Sequence, residues 1–210
     1  MADQYFDWLE GFPSRGPLDA EWAIVGISPS TKRPAHRRLE PFGASSFTII
    51  QNLRVQTQHS LYVTNLVKEP FAPGKAPGAP AIRKWAPVLI DELKMIRPKR
   101  ILALGAAPAK ALAGDYGYTD LTEDHGTFFW NAELEAWVVP TFHFAAGMRA
   151  PQYQAFIGRD LNRWLELPDP DRSSGGYVLL DSAADLELPL GATIALDIET
   201  RGLEYRNDII

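Results

Sequence analysis

The stretch AIVGIS, residues 23–28, has apolar residues at successive positions and runs into a loop of glycine, serine and proline. Three further β-rich runs follow it, and they are LYVTNLV (61–67), RILALG (100–105) and WVVPTFH (137–143). The first three of the four runs are apolar at successive positions rather than at every second one. A strand that helices cover on both faces has no solvent side, so such runs indicate strands buried in a parallel sheet.

Helical patterns lie between and after these runs. Residues 45–54 open with serines that can cap a helix, and residues 80–96 begin at a proline and carry apolar residues at helical spacing. Residues 106–113 are rich in alanine and stop at Gly114, while residues 152–166 carry apolar residues on one side. Strands that alternate with helices predict the α/β class, as a three-layer α/β/α sandwich with a central, mostly parallel four-stranded sheet.

A parallel sheet places its functional site beyond the carboxyl ends of its strands. The predicted strand exits are GISPS (26–30), TNLVK (64–68), LGAAP (104–108) and TFHFAAG (141–147). Asn65 and His143 are therefore predicted on neighbouring rims, with the 26–30 loop beside them. Each has a structural alternative, since a buried amide can bond a loop backbone and a histidine can belong to the core. Two such residues converging on one crevice favour a functional site.

Composition limits the classes of protein. The chain has 210 residues, of which 46% are hydrophobic and 22% charged, so it can form an ordinary globular core. It has no cysteine, which excludes disulfides, thiolate zinc sites and cysteine-ligated iron–sulfur clusters. No apolar run reaches the roughly 20 residues of a membrane span, and the N-terminus lacks a signal-peptide pattern. We therefore expect a cytoplasmic protein without a membrane partner.

The net charge of −5 is unevenly distributed along the chain. Residues 1–167 are nearly neutral, and their basic residues group at 32–38 and 94–100, as a phosphate-facing surface or as ordinary solvated charge. Residues 168–176, PDPDRSSGG, have the composition of a linker. The sequence thus predicts a domain at 1–167, a linker at 168–176 and a short, acidic, β-rich C-terminal fragment at 177–210.

Five motifs of the first domain occur in a characteristic order. They are GISPS (26–30), EPFGASS (40–46), VTNLVK (63–68), MIRPKRILALG (95–105) and PTFHFAAGMRAP (140–151). Over about residues 20–166 this series resembles the uracil-DNA glycosylase superfamily, most closely its family-4-like branch. The resemblance implies an enzyme that flips a uracil out of DNA and hydrolyses its N-glycosidic bond, with DNA as its partner.

The resemblance also implies roles for individual residues. Phe42 stacks on the flipped base, and Asn65 reads the uracil edge, since its amide offers both a donor and an acceptor. His143 lies against the carbonyl oxygen that gains negative charge as the glycosidic bond breaks. The first loop supplies further substrate-binding residues, which are Gly26, Ile27, Ser28 and Pro29.

The loop that follows the histidine is implied to contact DNA. Its contact residues are Ala145, Met148 and Arg149. Met148 is the expected apolar wedge in the minor groove, and Arg149 is expected near a phosphate.

Three features depart from the family pattern. Ile27 and Ser28 replace the acidic residue or asparagine that positions the attacking water, a change worth on the order of 100- to 10,000-fold in rate. The histidine loop reads His-Phe-Ala-Ala instead of His-Pro-Ser, so a hydroxyl that meets DNA phosphate is missing. The cluster cysteines of the family-4 branch are absent, and Glu69 occupies the place of one of them. We therefore expect a glycosylase-like domain without a cofactor.

The C-terminal fragment contains an apolar strand, ALDIETRGL, that carries Asp197 and Glu199. Residues i and i+2 of a strand project on the same face, so both carboxylates can bind one divalent metal ion or can simply face solvent. With the preceding YVLLD strand, this segment resembles the opening of the 3′–5′ exonuclease domain of family A DNA polymerases. The resemblance implies Mg2+ or Mn2+ at a site completed beyond Ile210, and a phage-type polymerase domain in the same, longer chain.

Three functions are open on the sequence. The first is a uracil-DNA glycosylase of DNA repair. The second is a catalytically inactive module that binds DNA or senses uracil for an attached replicative polymerase, and the third is a protein-interaction adapter. The first-loop substitution argues against the first function, whereas Phe42, Asn65 and His143 occurring together argue against the third. All three are consistent with the cytoplasm of a bacterium or of an infected bacterial host.

Overall fold

The structure of the protein is a computed structural model. It describes residues 5–6, 14–29, 42, 46, 49–50, 52–53, 59–71, 75–114 and 116–170. The chain divides into two units, Met1–Arg172, which contains every described residue, and Ser173–Ile210, which contains none. The fragment predicted at 177–210 therefore lies outside the described residues, as do half of the residues of the helix predicted at 45–54. The described residues of that segment, 46, 49–50 and 52–53, are helical.

Seven strands among the described residues form one sheet. They are β1 (Tyr5–Phe6), β2 (Ser14–Arg15), β3 (Trp22–Gly26), β4 (Leu61–Asn65), β5 (Arg100–Leu104), β6 (Phe129–Asn131) and β7 (Ala136–Thr141). Their order across the sheet is β1-β2-β4-β3-β5-β7-β6. The central strands β4, β3, β5 and β7 pair in parallel, whereas β1, β2 and β6 are antiparallel additions at the two edges. The predicted α/β fold with a mostly parallel central sheet is confirmed. The sheet has seven strands rather than the predicted four, because three short antiparallel strands extend its edges.

Besides the helical residues at 46, 49–50 and 52–53, the described part of the chain has helices with the following bounds. They are α1 (Ala79–Ile96), α2 (Ala106–Leu112), α3 (Leu121–Asp124), α4 (Phe144–Gly147) and α5 (Pro151–Glu166). The helices predicted at 80–96, 106–113 and 152–166 are found within one residue of their expected bounds. Gly114 follows α2 with a φ of 58°, a left-handed conformation typical of a helix end. Among these helices, none is long and apolar enough to cross a membrane.

The central strands are buried on both faces. In β3, Ala23 and Val25 belong to one apolar cluster, which includes Leu89 of α1, whereas Trp22 and Ile24 belong to a second. The second cluster lies on the other face of the sheet and includes residues of α4 and α5. Burying each large aliphatic side chain contributes about 1.5–3 kcal/mol, so a strand with no polar position is stable only between two helical layers.

The end of the sheet at which the parallel strands begin, here called its amino-terminal edge, is covered by packed and charged side chains. The ring of His59 stacks on Trp22 with centroids 4.1 Å apart, and the guanidinium of Arg100 lies 4.6 Å from the centroid of the same ring. Arg100 also donates to a carboxylate oxygen of Asp169 at 3.0 Å. This edge is therefore filled by structural contacts, and the candidate functional residues lie at the opposite, carboxyl edge.

Candidate functional site

The carboxyl ends of β3 and β4 lie side by side. Gly26, the last residue of β3, is in register with Asn65, the last residue of β4. The loops that follow are bonded to each other, because the N–H of Leu66 donates to Gly26 O at 2.8 Å and that of Val67 donates to Ile27 O at 2.9 Å. Asn65 is only 3% exposed, so this paired exit presents a buried amide beside the backbone of the first loop.

Gly26 allows a close approach that any other residue would block. A Cβ atom built on Gly26 lies 2.5 Å from Oδ1 of Asn65 and 2.6 Å from Cζ of Phe42. The amide of Asn65 and the ring of Phe42 therefore both occupy the space in which a side chain at position 26 would stand. Phe42 is buried and belongs to the apolar cluster that includes residues of α4 and α5.

His143 follows β7, two strands away from β3, and its ring reaches the same place. Its ring is stacked on that of Phe42, with centroids 5.9 Å apart and an angle of 22° between the planes. Phe42 thus contacts the Gly26 and Asn65 side of the site as well as His143. Asn65 and His143 are predicted on neighbouring rims, and in the structure β3 and β5 separate the strands that carry them, β4 and β7. The ring of Phe42 bridges that distance.

The strand exit that carries His143 is anchored on both sides. The carbonyl of Thr141, at the end of β7, accepts the N–H of Gly105 at 2.8 Å, and its hydroxyl donates to Oδ2 of Asp160 at 2.7 Å. Asp160 is fully buried on α5 and also contacts Nδ1 of His125 at 3.1 Å. The backbone just before His143 is therefore held to β5 and to α5.

The protonation state of His143 follows from its surroundings. The N–H of Ala145 donates to Nδ1 of His143 at 3.1 Å, so the proton of the neutral ring is on Nε2. Burial lowers the pKa of His143 below its ordinary 6.5, and the charge of Arg149 lowers it further. At neutral pH the ring is therefore an uncharged imidazole with a single N–H donor, on Nε2.

The remaining predicted residues line the margins of this edge. In the first loop Ile27 and Ser28 are half-buried and Pro29 is buried. In the histidine loop Ala145 is half-buried, whereas Met148 is 50% exposed. These five residues include no acid or amide.

Arg149 lies at the exposed end of the histidine loop. Its Nε donates to the carbonyl of Ala145 at 3.0 Å, which fixes the base of the side chain to α4. The loop itself rests on α5, because a Cβ built on Gly147 lies 3.1 Å from Cδ1 of Ile157. Met148 and Arg149 are thus presented to solvent from a packed support.

Two buried charged residues near Asn65 were not predicted as site residues, although Lys68 ends the VTNLVK motif. Lys68 follows Asn65 by three residues, and Glu92 lies on the buried face of α1 between Leu89 and Ile96. The sequence signal for Glu92 is a charge at an apolar position of the helical repeat, although the identity of its partner requires the fold. Burial lowers the pKa of Lys68, and the negative charge of Glu92 opposes that shift.

An iron–sulfur cluster does not fit this chain. No cysteine is present to ligate iron. Glu69, predicted from the motifs to stand in the place of one cluster cysteine, forms an exposed ion pair with Lys84 of α1. Among the described residues no group of three or more His, Asp or Glu side chains is arranged to hold a metal ion. The predicted metal ligands Asp197 and Glu199 lie outside those residues.

Comparison with known proteins agrees with the fold and with the sequence motifs. The sequence-family model of the uracil DNA glycosylase superfamily matches residues 13–165 of this chain. A type-4 uracil-DNA glycosylase of Sulfurisphaera tokodaii is 27% identical over 176 residues, which cover 80% of this chain and 79% of the relative. The type-4 uracil-DNA glycosylase of Pyrobaculum aerophilum is 28% identical over 156 residues, covering 71% and 79% of the two chains. That of Archaeoglobus fulgidus is 25% identical over 165 residues, covering 74% and 80%.

The matched region, residues 13–165, contains the central sheet. It also contains the amide of Asn65, the ring of Phe42 and the imidazole of His143. The chain belongs to the uracil-DNA glycosylase superfamily. The resemblance stated from the five motifs is confirmed for this domain, whereas the resemblance of the C-terminal fragment to an exonuclease domain stays a prediction.

Proposed function

We propose that the domain is a uracil-DNA glycosylase that binds a uracil flipped out of DNA and hydrolyses its N-glycosidic bond. The observation that carries this proposal is the cluster of Gly26, Phe42, Asn65 and His143, in which an amide, an aromatic ring and a neutral imidazole lie together. The names of the type-4 relatives support the same substrate.

Base recognition in this proposal uses Phe42 and Asn65. The amide oxygen of Asn65 accepts the N3–H of uracil, and its NH2 group donates to O4. Stacking on an aromatic ring contributes about 1–3 kcal/mol per base, and flipping a nucleotide costs a few kcal/mol. The contacts to the flipped base therefore offset most of the energy of extracting it from the duplex.

Bond cleavage in this proposal uses the Nε2–H of His143. As the bond between C1′ and N1 breaks, its electron pair moves into the uracil ring and negative charge develops on O2. A donor aimed at such an oxygen typically contributes about 100- to 1,000-fold in rate. The oxygen of a water molecule bonds to C1′, and the proton that the water loses leaves with solvent or with the uracil anion. Since Ile27 and Ser28 supply no carboxylate to orient this water, we expect a slow enzyme.

The same first loop favours a second candidate function, a uracil-sensing module that binds without cleaving. Ile27 has no polar side-chain atom, and Ser28 is a weak base without a partner. Recognition through Phe42 and Asn65 does not depend on that water, so binding can persist where hydrolysis is lost. Uracil-dependent binding without cleavage is the outcome that identifies this function.

The test of the proposed function is a strand-cleavage assay on a uracil-containing oligonucleotide, in single- and double-stranded form and with protein in excess. We expect alkali-labile sites with the parent protein, and at least a 100-fold lower rate with Asn65→Ala, because the base then loses its edge contacts. Asn162→Ala, which removes an exposed amide on α5, is the matched control and should cleave at the parent rate. Equal rates for Asn65→Ala and the parent would contradict the assignment of Asn65.

We also propose that Ala145, Met148 and Arg149 contact DNA beside the flipped nucleotide. The exposure of Met148 and Arg149 on a loop packed against α5 supports this placement. An apolar side chain suits the gap left in the minor groove, and a guanidinium suits a phosphate.

The Arg149→Gln variant is expected to bind all DNA sequences more weakly. Removing one phosphate contact should lower the slope of log K against log salt concentration by about 1. The measurement is a binding titration at several salt concentrations, with Arg83→Gln, an exposed arginine of α1, as control. An unchanged slope in Arg149→Gln would remove Arg149 from the interface.

We propose, finally, that residues 1–167 precede a linker at 168–176 and the opening of a 3′–5′ exonuclease domain at 177–210. The support is the composition of the linker and the D-I-E-T-x-G-L motif that carries Asp197 and Glu199. The metal of such a site is Mg2+ or Mn2+, and its context is a phage-type DNA polymerase in a bacterial or infected bacterial cell. A full-length chain with this domain would degrade a 3′ end only when a divalent ion is added.

A further inference from the structure

A buried lysine lies directly behind the candidate base-reading amide. Lys68 is 3% exposed. Its ammonium donates to the backbone carbonyl oxygen of Asn65 at 2.8 Å and to the side-chain Oγ1 of Thr64 at 2.7 Å. It also pairs with a carboxylate oxygen of Glu92. All three ammonium protons therefore have acceptors, and two of these acceptors belong to the last two residues of β4.

The partner of Lys68 is held from several directions. Glu92 is fully buried, and its second oxygen accepts from the hydroxyls of Tyr62 at 2.8 Å and Thr64 at 2.9 Å, and from that of Ser14. Burial raises the pKa of Tyr62, and the neighbouring negative charge of Glu92 adds to that shift, so the phenol stays a donor. Strands β2 and β4 and helix α1 thus meet in one closed polar network.

We propose that Lys68, held by Glu92, is a positioning residue that fixes the backbone of Asn65 and so the direction from which its amide meets a base. The inference rests on the proposed function, because it concerns the same site. Stability alone does not require such a pair, since apolar residues of similar volume often replace a buried ion pair without loss. Here the ammonium is placed where its hydrogen bonds end on Thr64 and Asn65.

Orientation of this amide matters for the choice between uracil and cytosine. Uracil presents an N3–H donor and an O4 acceptor, whereas cytosine presents an N3 acceptor and an N4 donor at the same edge. An amide held in one orientation matches one of these patterns, and an amide free to rotate matches both. The network of Lys68 and Glu92 is therefore expected to set base selectivity as well as rate.

The test is the double variant Lys68→Met/Glu92→Gln. It removes both buried charges together while glutamine keeps an acceptor for Ser14, Tyr62 and Thr64. The control is Lys84→Met/Glu69→Gln, the same chemical change at an exposed ion pair. Three quantities are measured for each: the melting temperature, the single-turnover rates on uracil- and cytosine-containing DNA, and the NMR resonances of the Asn65 side-chain NH2 group.

We expect the buried double variant to fold, to excise uracil at least 10-fold more slowly, and to lose at least 10-fold in its uracil-to-cytosine rate ratio. The Asn65 NH2 resonances should shift and exchange faster with solvent, whereas the control should match the parent in all three measurements. A lower melting temperature with parental rates and parental Asn65 resonances would make the pair merely structural and overturn the inference.

A failure of the proposed function would look different. A parent protein that neither cleaves nor binds uracil-containing DNA would refute the function, and the Asn65 resonances would still decide whether Lys68 positions this amide. If Lys68→Met/Glu92→Gln does not fold, the single variant Lys68→Arg keeps the charge and shifts the donor. It should then show the same loss of base selectivity and the same movement of the Asn65 resonances, and parental values for both would overturn the inference.

Discussion

Replacing His143 by alanine is expected to lower the single-turnover rate of uracil excision by about 100- to 1,000-fold. The neutral ring carries its proton on Nε2, because Nδ1 accepts the N–H of Ala145. A donor fixed in this way stabilises charge on the departing base without having to reorganise as the bond breaks. The alanine variant loses that donor while Phe42 and Asn65 still bind the base, so binding should weaken far less than the rate.

The variant should remain folded. It loses one acceptor for the amide of Ala145, a loss comparable to that of a helix cap and worth about 1 kcal/mol. His59→Ala, which removes a ring stacked on Trp22 at the opposite edge of the sheet, is the matched control and should excise at the parent rate. A His143→Ala rate within threefold of the parent would exclude His143 from the chemistry.

The pH dependence of excision should report the same ring. Burial and the charge of Arg149 lower the pKa of His143 below 6.5, so the neutral donor persists into mildly acid solution. Protonation of Nδ1 at lower pH breaks the bond from Ala145, and the rate should fall as pH drops through the lowered pKa. In Arg149→Gln a repelling charge is absent, so the pKa of His143 rises and the acid limb moves to higher pH. An acid limb that moves the other way would contradict this account.

The Gly26→Ala variant is expected to lose at least 100-fold in excision rate and about 1–3 kcal/mol in the free energy of unfolding. The new methyl group would lie 2.5 Å from Oδ1 of Asn65 and 2.6 Å from Cζ of Phe42. Both side chains must move to accept it, and these are the two groups proposed to read and stack on the base. The measurements are the single-turnover rate and chemical denaturation.

Gly158→Ala is the control for this substitution. Gly158 lies on α5, and nothing stands within 4 Å of a Cβ built there. Because alanine favours a helix interior by about 1 kcal/mol over glycine, this variant should be more stable and equally active. The same methyl group is thus expected to act in opposite directions at the two positions. A Gly26→Ala protein as active and stable as the parent would show that Phe42 and Asn65 do not require this close approach.

The central strands could be predicted because burial on both faces leaves a continuous apolar pattern in the sequence. AIVGIS, LYVTNLV and RILALG each overlap one of the parallel strands, whose bounds lie within two residues of the predicted ones. The edge strands could not be found in this way. β1 and β2 have two residues each and β6 has three, which is too short for any periodicity.

Strand exits could likewise be predicted to carry the functional residues, since parallel strands bring their carboxyl ends to one edge. That argument identified Asn65 and His143 as candidates but not the number of strands between them, because strand order is a property of the sheet and not of the chain. β3 and β5 lie between the two strands concerned, and the contact is made by Phe42. The roles of these residues stay predictions until the variants are measured.

The sequence by itself determined the α/β class, the four parallel strands and the superfamily, because each is written in local patterns and ordered motifs. Only the tertiary structure decided which atoms meet. The close approach at Gly26, the proton on Nε2 of His143 and the pairing of Lys68 with Glu92 join residues that are distant in sequence or that depend on a packed environment. Hydrogen bonds and burial act through space, and a linear pattern cannot specify which groups will be close enough to share them.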